Sequence, residues 1–369
     1  MRLRHIGFAL LATGLSGLPV VQQAAATPAV TTKESHLQRQ SLGQGVYEVA
    51  YSARHHELYV ALAGNLRDPQ ANKGLIQVLD PDTLALKRTI TLPLRAFSLA
   101  LDDSRNRLYV GHTLDAAVSI IDMRQDIRDD ARLRSTITVA TKAPTDKYFP
   151  VHPRELRLSD DGNRLYMSAV AGDGNVYVID TQQQKLMHTI EHMGKWTSGL
   201  ALDDAHQRLF VSNADGHVIE LSTQTFAPRA TFDAGIHPVN ITYDSATQRL
   251  YAADSKGHRV LVLDVNTRHP AGQYPTVATL DHLQGPLALL IDAARQRLYV
   301  TDRDGGQLNV YALSERQASA PIAQYPLKVF PNSLASDPRS GALFVTIKQK
   351  LHDDLSLNGQ EAIVRIAHP

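Results

Sequence analysis

Phe97-Ser98-Leu99-Ala100-Leu101-Asp102-Asp103-Ser104-Arg105-Asn106-Arg107-Leu108-Tyr109-Val110 reads as two short apolar runs joined by a polar turn. Runs rich in apolar and β-branched residues, punctuated by Asp, Asn and Ser, have the chemistry of antiparallel strands. The closing Arg-Leu-Tyr-Val-like phrase recurs seven times, anchored on Leu58, Leu108, Leu165, Leu209, Leu250, Leu298 and Leu343. Six residues before the anchors stand Ser52, Asp102, Ser159, Asp203, Asp244, Asp292 and Asp337. Successive anchors lie 41 to 57 residues apart. A repeat of roughly 40–50 residues built from short strands marks a propeller, with one four-stranded blade per repeat. The expected fold is therefore all-β, a seven-bladed β-propeller.

Residues 97–101 supply strand a of blade 2 and 107–110 strand b; 118–121 and 136–139 follow as strands c and d. Strand c recurs ending in Asp80, Asp180 and Asp264, whose carboxylates suit turn caps. After Leu343 only a third strand, 363–367, is found before the chain ends. The segment 35–42 can supply the fourth. An N-terminal strand would then complete the last blade and close the ring without an open edge.

Arg2 and Arg4, the mostly apolar stretch 6–21 and Ala24-Ala25-Ala26 have the pattern of a secretory signal peptide, residues 1–26. Residues 27–369 then form one propeller domain, expected to be exported, soluble and monomeric. There is no cysteine, which excludes thiolate catalysis, Cys-ligated metals and a diacylglyceryl anchor. The 38 Lys and Arg nearly balance 37 acids, and loss of Arg2 and Arg4 tips the mature chain slightly negative. Any attraction for a polyanion must come from a local patch.

The phrases Arg107-Leu108-Tyr109-Val110 with Val118-Ser119-Ile120-Ile121-Asp122, and Arg208-Leu209-Phe210-Val211-Ser212-Asn213, resemble YVTN repeats. With the leader and seven blades, the mature chain resembles the YncE-like group of bacterial periplasmic propellers along essentially its whole length. The resemblance implies a non-enzymatic periplasmic protein, in a family for which single-stranded DNA binding has been proposed. It transfers no site residue by residue, so candidates come from aligning the blades on one another.

Ten residues before each anchor stand Glu48, Ser98, Glu155, Gly199, Asn240, Ala288 and Ser333; nine before stand Val49, Leu99, Leu156, Leu200, Ile241, Leu289 and Leu334. Successive strand residues point to opposite sides. The apolar column should pack blade on blade, and the small or polar column should line the channel. Thirteen before the anchors come Gly45, Arg95, His152, Trp196, His237, Gly285 and Phe330, at the ends of the d–a connections that should ring the channel mouth. Three long excursions open on this face: 58–76, 343–363 and the connection 140–153. The first two adjoin across the closure and could form a lid.

Three chemistries fit. Single-stranded nucleic acid needs cations interleaved with aromatics for stacking. Arg95, Lys142, Lys147, Tyr148, Phe149, His152, Arg154, Lys195, Trp196 and His237 provide such a ligand-binding set, although Asp115, Asp173, Asp215, Asp233, Asp281 and Asp302 dilute the charge of that face. A metal-dependent lactonase or hydrolase is the alternative, with Glu48, Glu155 and Asn240 as hard oxygen ligands for Ca or Mg. No HExxH or Gly-x-Ser-x-Gly motif is present, and His55-His56 sits in an a–b turn. A scaffold docking an unidentified protein is the third. Arg107, Arg164, Arg208, Arg249 and Arg297 recur before strand b and are expected to pair locally with the turn acids. The mixed-charge stretch 126–134 reads as a solvated outer loop. The expectation that unites these observations is a non-enzymatic binding protein with its site at the d–a/b–c mouth and no cofactor.

Overall fold

A computed structural model describes residues 31–32, 37–65, 73–266, 273–314, 319–350 and 359–369. Seven antiparallel sheets follow one another along the chain. In blade 1 strands a to d are Val46–Ser52, Glu57–Leu62, Gly74–Leu79 and Leu86–Leu92. Blade 2 comprises Ser98–Asp102, Arg107–His112, Ala117–Asp122 and Leu133–Thr138, each within a few residues of its expected position. The inner strands of blades 3 to 6 are His152–Leu158, Leu200–Asp203, Pro238–Asp244 and Pro286–Asp292. In the seventh sheet, Pro331–Ser336, Leu343–Ile347 and Ala362–Ile366 are followed in space by Leu37–Ser41, paired antiparallel to Ala362–Ile366. Leu37 packs against the core cluster that contains Ile347 and Ile366, and Leu42 N–H donates to Glu361 O at 2.9 Å. The sixth sheet gains a short parallel strand, Thr31–Thr32.

Strand b is buried in every blade, and the core is a series of clusters filling the seams between sheets. In the apolar column Val49, Leu99, Leu156, Leu200, Ile241 and Leu289 are buried and Leu334 is half-buried. The a–b turns are drawn tight by the residue six before the anchor. Asp102 Oδ1 accepts from Arg105 N, Asp292 Oδ1 from Arg295 N, and Asp244 Oδ1 from Ala246 N. Asn106, Gln207, Gln248 and Gln296, each two residues before its anchor, take left-handed φ values of 52–56° to complete the turn. Strand c ends as expected, with Asp80 and Asp180 each accepting two backbone N–H bonds from the turn that follows.

Two local expectations need correction. The arginine before strand b does not generally pair within its own turn. Arg107 Nη1 donates to Thr181 O, Arg164 to Thr223 O and Arg249 to Ser314 O, each a carbonyl just past strand c of the next blade. Arg208 does both, binding Asp203 and also Val265 O at 2.7 Å. The turn carboxylates are already engaged by backbone N–H groups, so the long side chain reaches a carbonyl left open at the neighbouring strand end. Nor is 126–134 simply a solvated loop. Asp129–Ala131 forms a 3₁₀ turn, and Arg132, 3% exposed, binds Asp129 Oδ1, Asp122 O and Arg124 O.

Candidate ligand site at the central cavity

All seven blades line a central cavity of about 680 Å³. The polar column faces it: Glu48, Ser98, Glu155, Asn240, Ala288 and Ser333 all contribute, with Ser198 standing beside Gly199. The reason this column is polar is visible in the backbone. The a–b ladders of blades 1, 3, 5, 6 and 7 each shift register near this position. A bulge leaves ladder N–H groups without a partner in their own sheet, and the column's side chains also reach backbone N–H groups of blades 2 and 4, whose a–b ladders run without a shift. Glu48 Oε2 accepts from Leu99 N at 2.7 Å, Glu155 Oε2 from Leu200 N at 2.9 Å, and Ser333 Oγ from Val49 N at 3.4 Å. In each case the acceptor belongs to one blade and the N–H to the next. Glu155 Oε1 also holds Arg157 at 2.6 Å, and Arg157 Nε donates to Leu200 O.

Strand b supplies the other half of this arrangement. The residue three past the anchor accepts the N–H of the polar-column residue: Ser168 Oγ from Glu155 N, Ser212 Oγ from Gly199 N, Thr301 Oγ1 from Ala288 N, Thr346 Oγ1 from Ser333 N. The next residue binds the d–a connection. Asp254 Oδ1 accepts from His237 N, Asp302 Oδ1 from Gln284 N and Gly285 N, and Asn213 Nδ2 donates to Met193 O. At this position His112 Nδ1 donates to Arg95 O, while Ser119 Oγ bonds Nε2 at 2.7 Å; burial lowers this imidazole to about 4, so it is neutral. The repeated phrase therefore shapes the mouth as well as packing the blades, a role its apolar pattern alone does not reveal.

The expected mouth residues separate into three groups. Arg95 is 5% exposed and spends its guanidinium on Ala63 O at 2.7 Å and Asn65 O at 3.1 Å. His152 donates to Thr113 O, and half-buried His237, pushed down by burial, lies beside Ser255. These three are taken up by the scaffold. The second group lies outside the cavity lining, on the d–a connections into blades 3 and 4. Trp196 and Tyr148 are both 62% exposed, on neighbouring d–a connections. Lys147 lies 5.0 Å from the Tyr148 ring centre, Lys142 lies 5.7 Å from that of Phe149, and exposed Lys195 flanks Trp196. Trp196 has a left-handed φ of 52°. Its loop is pinned by Ala214 N to Lys195 O, Lys195 N to Asp215 and Thr197 Oγ1 to Met193 O. A large ring in solvent on a constrained backbone is an unusual expense for a fold that does not use it.

The third group lines the cavity, and Arg154, Phe97, Gly45 and Phe330 of it come from the connections and strand entries that the sequence singles out. Tyr47, Arg303, Lys348 and Glu361 join them. Tyr47 and Phe97 meet edge to face at 4.6 Å. Arg303 and Lys348 immediately follow strand b of blades 6 and 7, a position the columns before the anchors do not sample. Burial raises Glu48 to about 8 and also raises Glu155, whose partner Arg157 opposes the shift. His55 and His56 bond Asn106 and Asp82 respectively, at the other end of the blade. The insertions after strand b in blades 1 and 7 fall largely at 66–72 and 351–358, outside the described residues.

No family model matches the chain. The uncharacterized protein YncE of Escherichia coli O157:H7 is 29% identical over 374 residues, spanning all of both chains. The protein of that name in Salmonella typhi is 28% identical over 334 residues, 89% of this chain and 90% of its own. That of Escherichia coli K12 is 28% identical over 373 residues. Folded into seven blades, the chain is a β-propeller that is similar to these YncE proteins over most or all of its length.

Proposed function

We propose that the protein is an exported, non-enzymatic binding protein of the periplasm that holds single-stranded DNA across the rim of its channel mouth. The observation that carries this reading is Trp196, an exposed ring on a pinned loop, beside Lys195 and one connection away from Tyr148, Lys147 and Lys142. Flat rings accept bases of any sequence, while lysines track the phosphates; stacking contributes about 1–3 kcal/mol per base. The leader pattern at Arg2, Arg4 and Ala24-Ala25-Ala26 supports export. Fluorescence anisotropy of a labelled oligonucleotide tests the reading. Binding should weaken between roughly 50 and 200 mM salt as counterions compete, and Trp196→Ala and Tyr148→Ala should each weaken it about tenfold. Binding that ignores salt, or survives both substitutions unchanged, refutes it.

A metal-dependent hydrolase reading rests on Glu48, Glu155 and Asn240 facing one cavity. Both carboxylates already accept a backbone N–H, which leaves Glu48 Oε1 and Asn240 as the less engaged oxygens for Ca or Mg. Metal analysis of untagged protein, repeated on Glu48→Gln and Glu155→Gln, tests it; stoichiometric metal lost in both variants is the result that reading requires. A protein partner on the same rim would be captured from periplasmic extract by native protein and lost with Trp196→Ala.

A further inference from the structure

Arg154, Arg303 and Lys348 come from three different blades and line one cavity. Their charges are poorly answered. Arg154 is exposed and forms no hydrogen bond or ion pair among the described residues. The Arg303 guanidinium lies over the Phe330 ring at 4.9 Å, and its nearest acid, Asp304, is 4.0 Å away. Lys348 Nζ sits 3.4 Å from the centre of the Tyr47 ring and donates to Val46 O at 2.8 Å. Glu361, 3.9 Å from it, has its carboxylate engaged by Val46 N and Gln349 N.

We propose that these three cations form the head-group site for a small organic anion, a carboxylate or phosphate ester on a flat apolar body, bound inside the cavity. This site is separate from the rim and does not depend on it. Three like charges converge on one cavity, Arg154 and Arg303 exposed and Lys348 largely buried, and they repel one another until an anion arrives. Burial depresses the Lys348 ammonium, Glu361 opposes, and Arg303 and Arg154 add to the depression. The volume suits one small molecule. Tyr47, Phe97 and Leu289 give its body an apolar wall. Glu155, which adjoins Arg154 along strand a and is paired with Arg157, places a carboxylate further in. A single anionic head is what the charge pattern selects, which a polynucleotide threaded inward is not.

Calorimetric titration with phenyl phosphate, benzoate and the neutral benzyl alcohol tests this. Phenyl phosphate or benzoate should saturate one site, and the one that binds identifies the head group; benzyl alcohol should not bind over the same range. Arg303→Gln and Arg154→Gln should each weaken binding tenfold or more while the melting temperature stays in place. Lys348→Met should act in the same direction, but it also loses the bond to Val46 O, so the two arginine variants decide. The proposal is overturned if neither anion binds, if benzyl alcohol binds as well as they do, or if both arginine variants keep native affinity. Oligonucleotide anisotropy on Arg303→Gln separates the two sites: rim binding should persist there. If oligonucleotide binding fails in native protein while phenyl phosphate binds, the cavity site stands and the rim reading falls.

Discussion

Ser168 shows how much one hydroxyl does in this fold. It is fully buried, accepts Glu155 N–H and donates to Ser198 O in the next blade. Ser168→Ala should cost about 1–3 kcal/mol, because it leaves Glu155 N–H and Ser198 O without the hydroxyl that joins them; chemical denaturation measures it. Glu57 is a second test at this scale. Burial alone would raise its carboxyl, but Arg88, Lys87 and the Tyr59 hydroxyl hold it down at about 2. Its folded value is below the ordinary 4.5, so its contribution is complete above about pH 4.5 and is lost as pH falls toward 2. Glu57→Gln should therefore destabilise the protein by about 3 kcal/mol near neutrality, and the gap from native protein should narrow in acid. Denaturation curves at pH 7 and pH 3 check both statements. The sequence does not announce either residue's role. The glutamate's partners lie 30 and 31 residues away, and the serine's lie across a bulge that no periodicity encodes.

At the scale of the strand, alternation is the informative signal. Ten residues before the anchors the polar column lines the cavity as expected, while nine before, Val49, Leu99, Leu156, Ile241, Leu289 and Leu334 reach it as well, because register shifts near these positions interrupt strict alternation. The column at minus thirteen is less legible, because it lies in connections where no period holds. There Arg95 turns inward to backbone carbonyls while Trp196 turns out to solvent. Arg303 and Lys348 escape the alignment because they follow the anchor rather than precede it. The strand Leu37–Ser41 is readable only by subtraction, as the partner the last blade lacks. Besides its ladder, Gln38 Nε2 reaches Thr83 O in blade 1 and Arg39 reaches Leu327 O near blade 6. Deleting residues 33–43 should lower the melting temperature of the whole protein in one cooperative transition. A calorimetric trace that keeps the native temperature and loses only a small early feature would show that the strand merely decorates an edge.

Taken as a whole, the molecule concentrates its variety at one end. The seven repeats are alike where blades pack and unlike where their connections meet, and the near-neutral total charge conceals a cationic group in the cavity. That group should titrate. Burial lowers Lys348 to about 8, with Arg303 and Arg154 pushing the same way and Glu361 opposing; Tyr47 faces it and Glu48, also near 8, shares the cavity. Raising the pH through about 8 removes a positive charge and adds a negative one, so benzoate affinity should fall between pH 6.5 and 9. Lys348→Met and Glu48→Gln should each flatten that fall; a profile level from 6.5 to 9 in native protein would contradict the assignment.

The claim that the rim holds single-stranded DNA has a built-in reporter, since Trp196 is the only tryptophan in the chain. Its emission should be quenched saturably as an unlabelled oligonucleotide is added at low salt, with the midpoint moving to higher concentration as salt is raised. Emission that stays unchanged at low salt, or a midpoint indifferent to salt, would contradict the account.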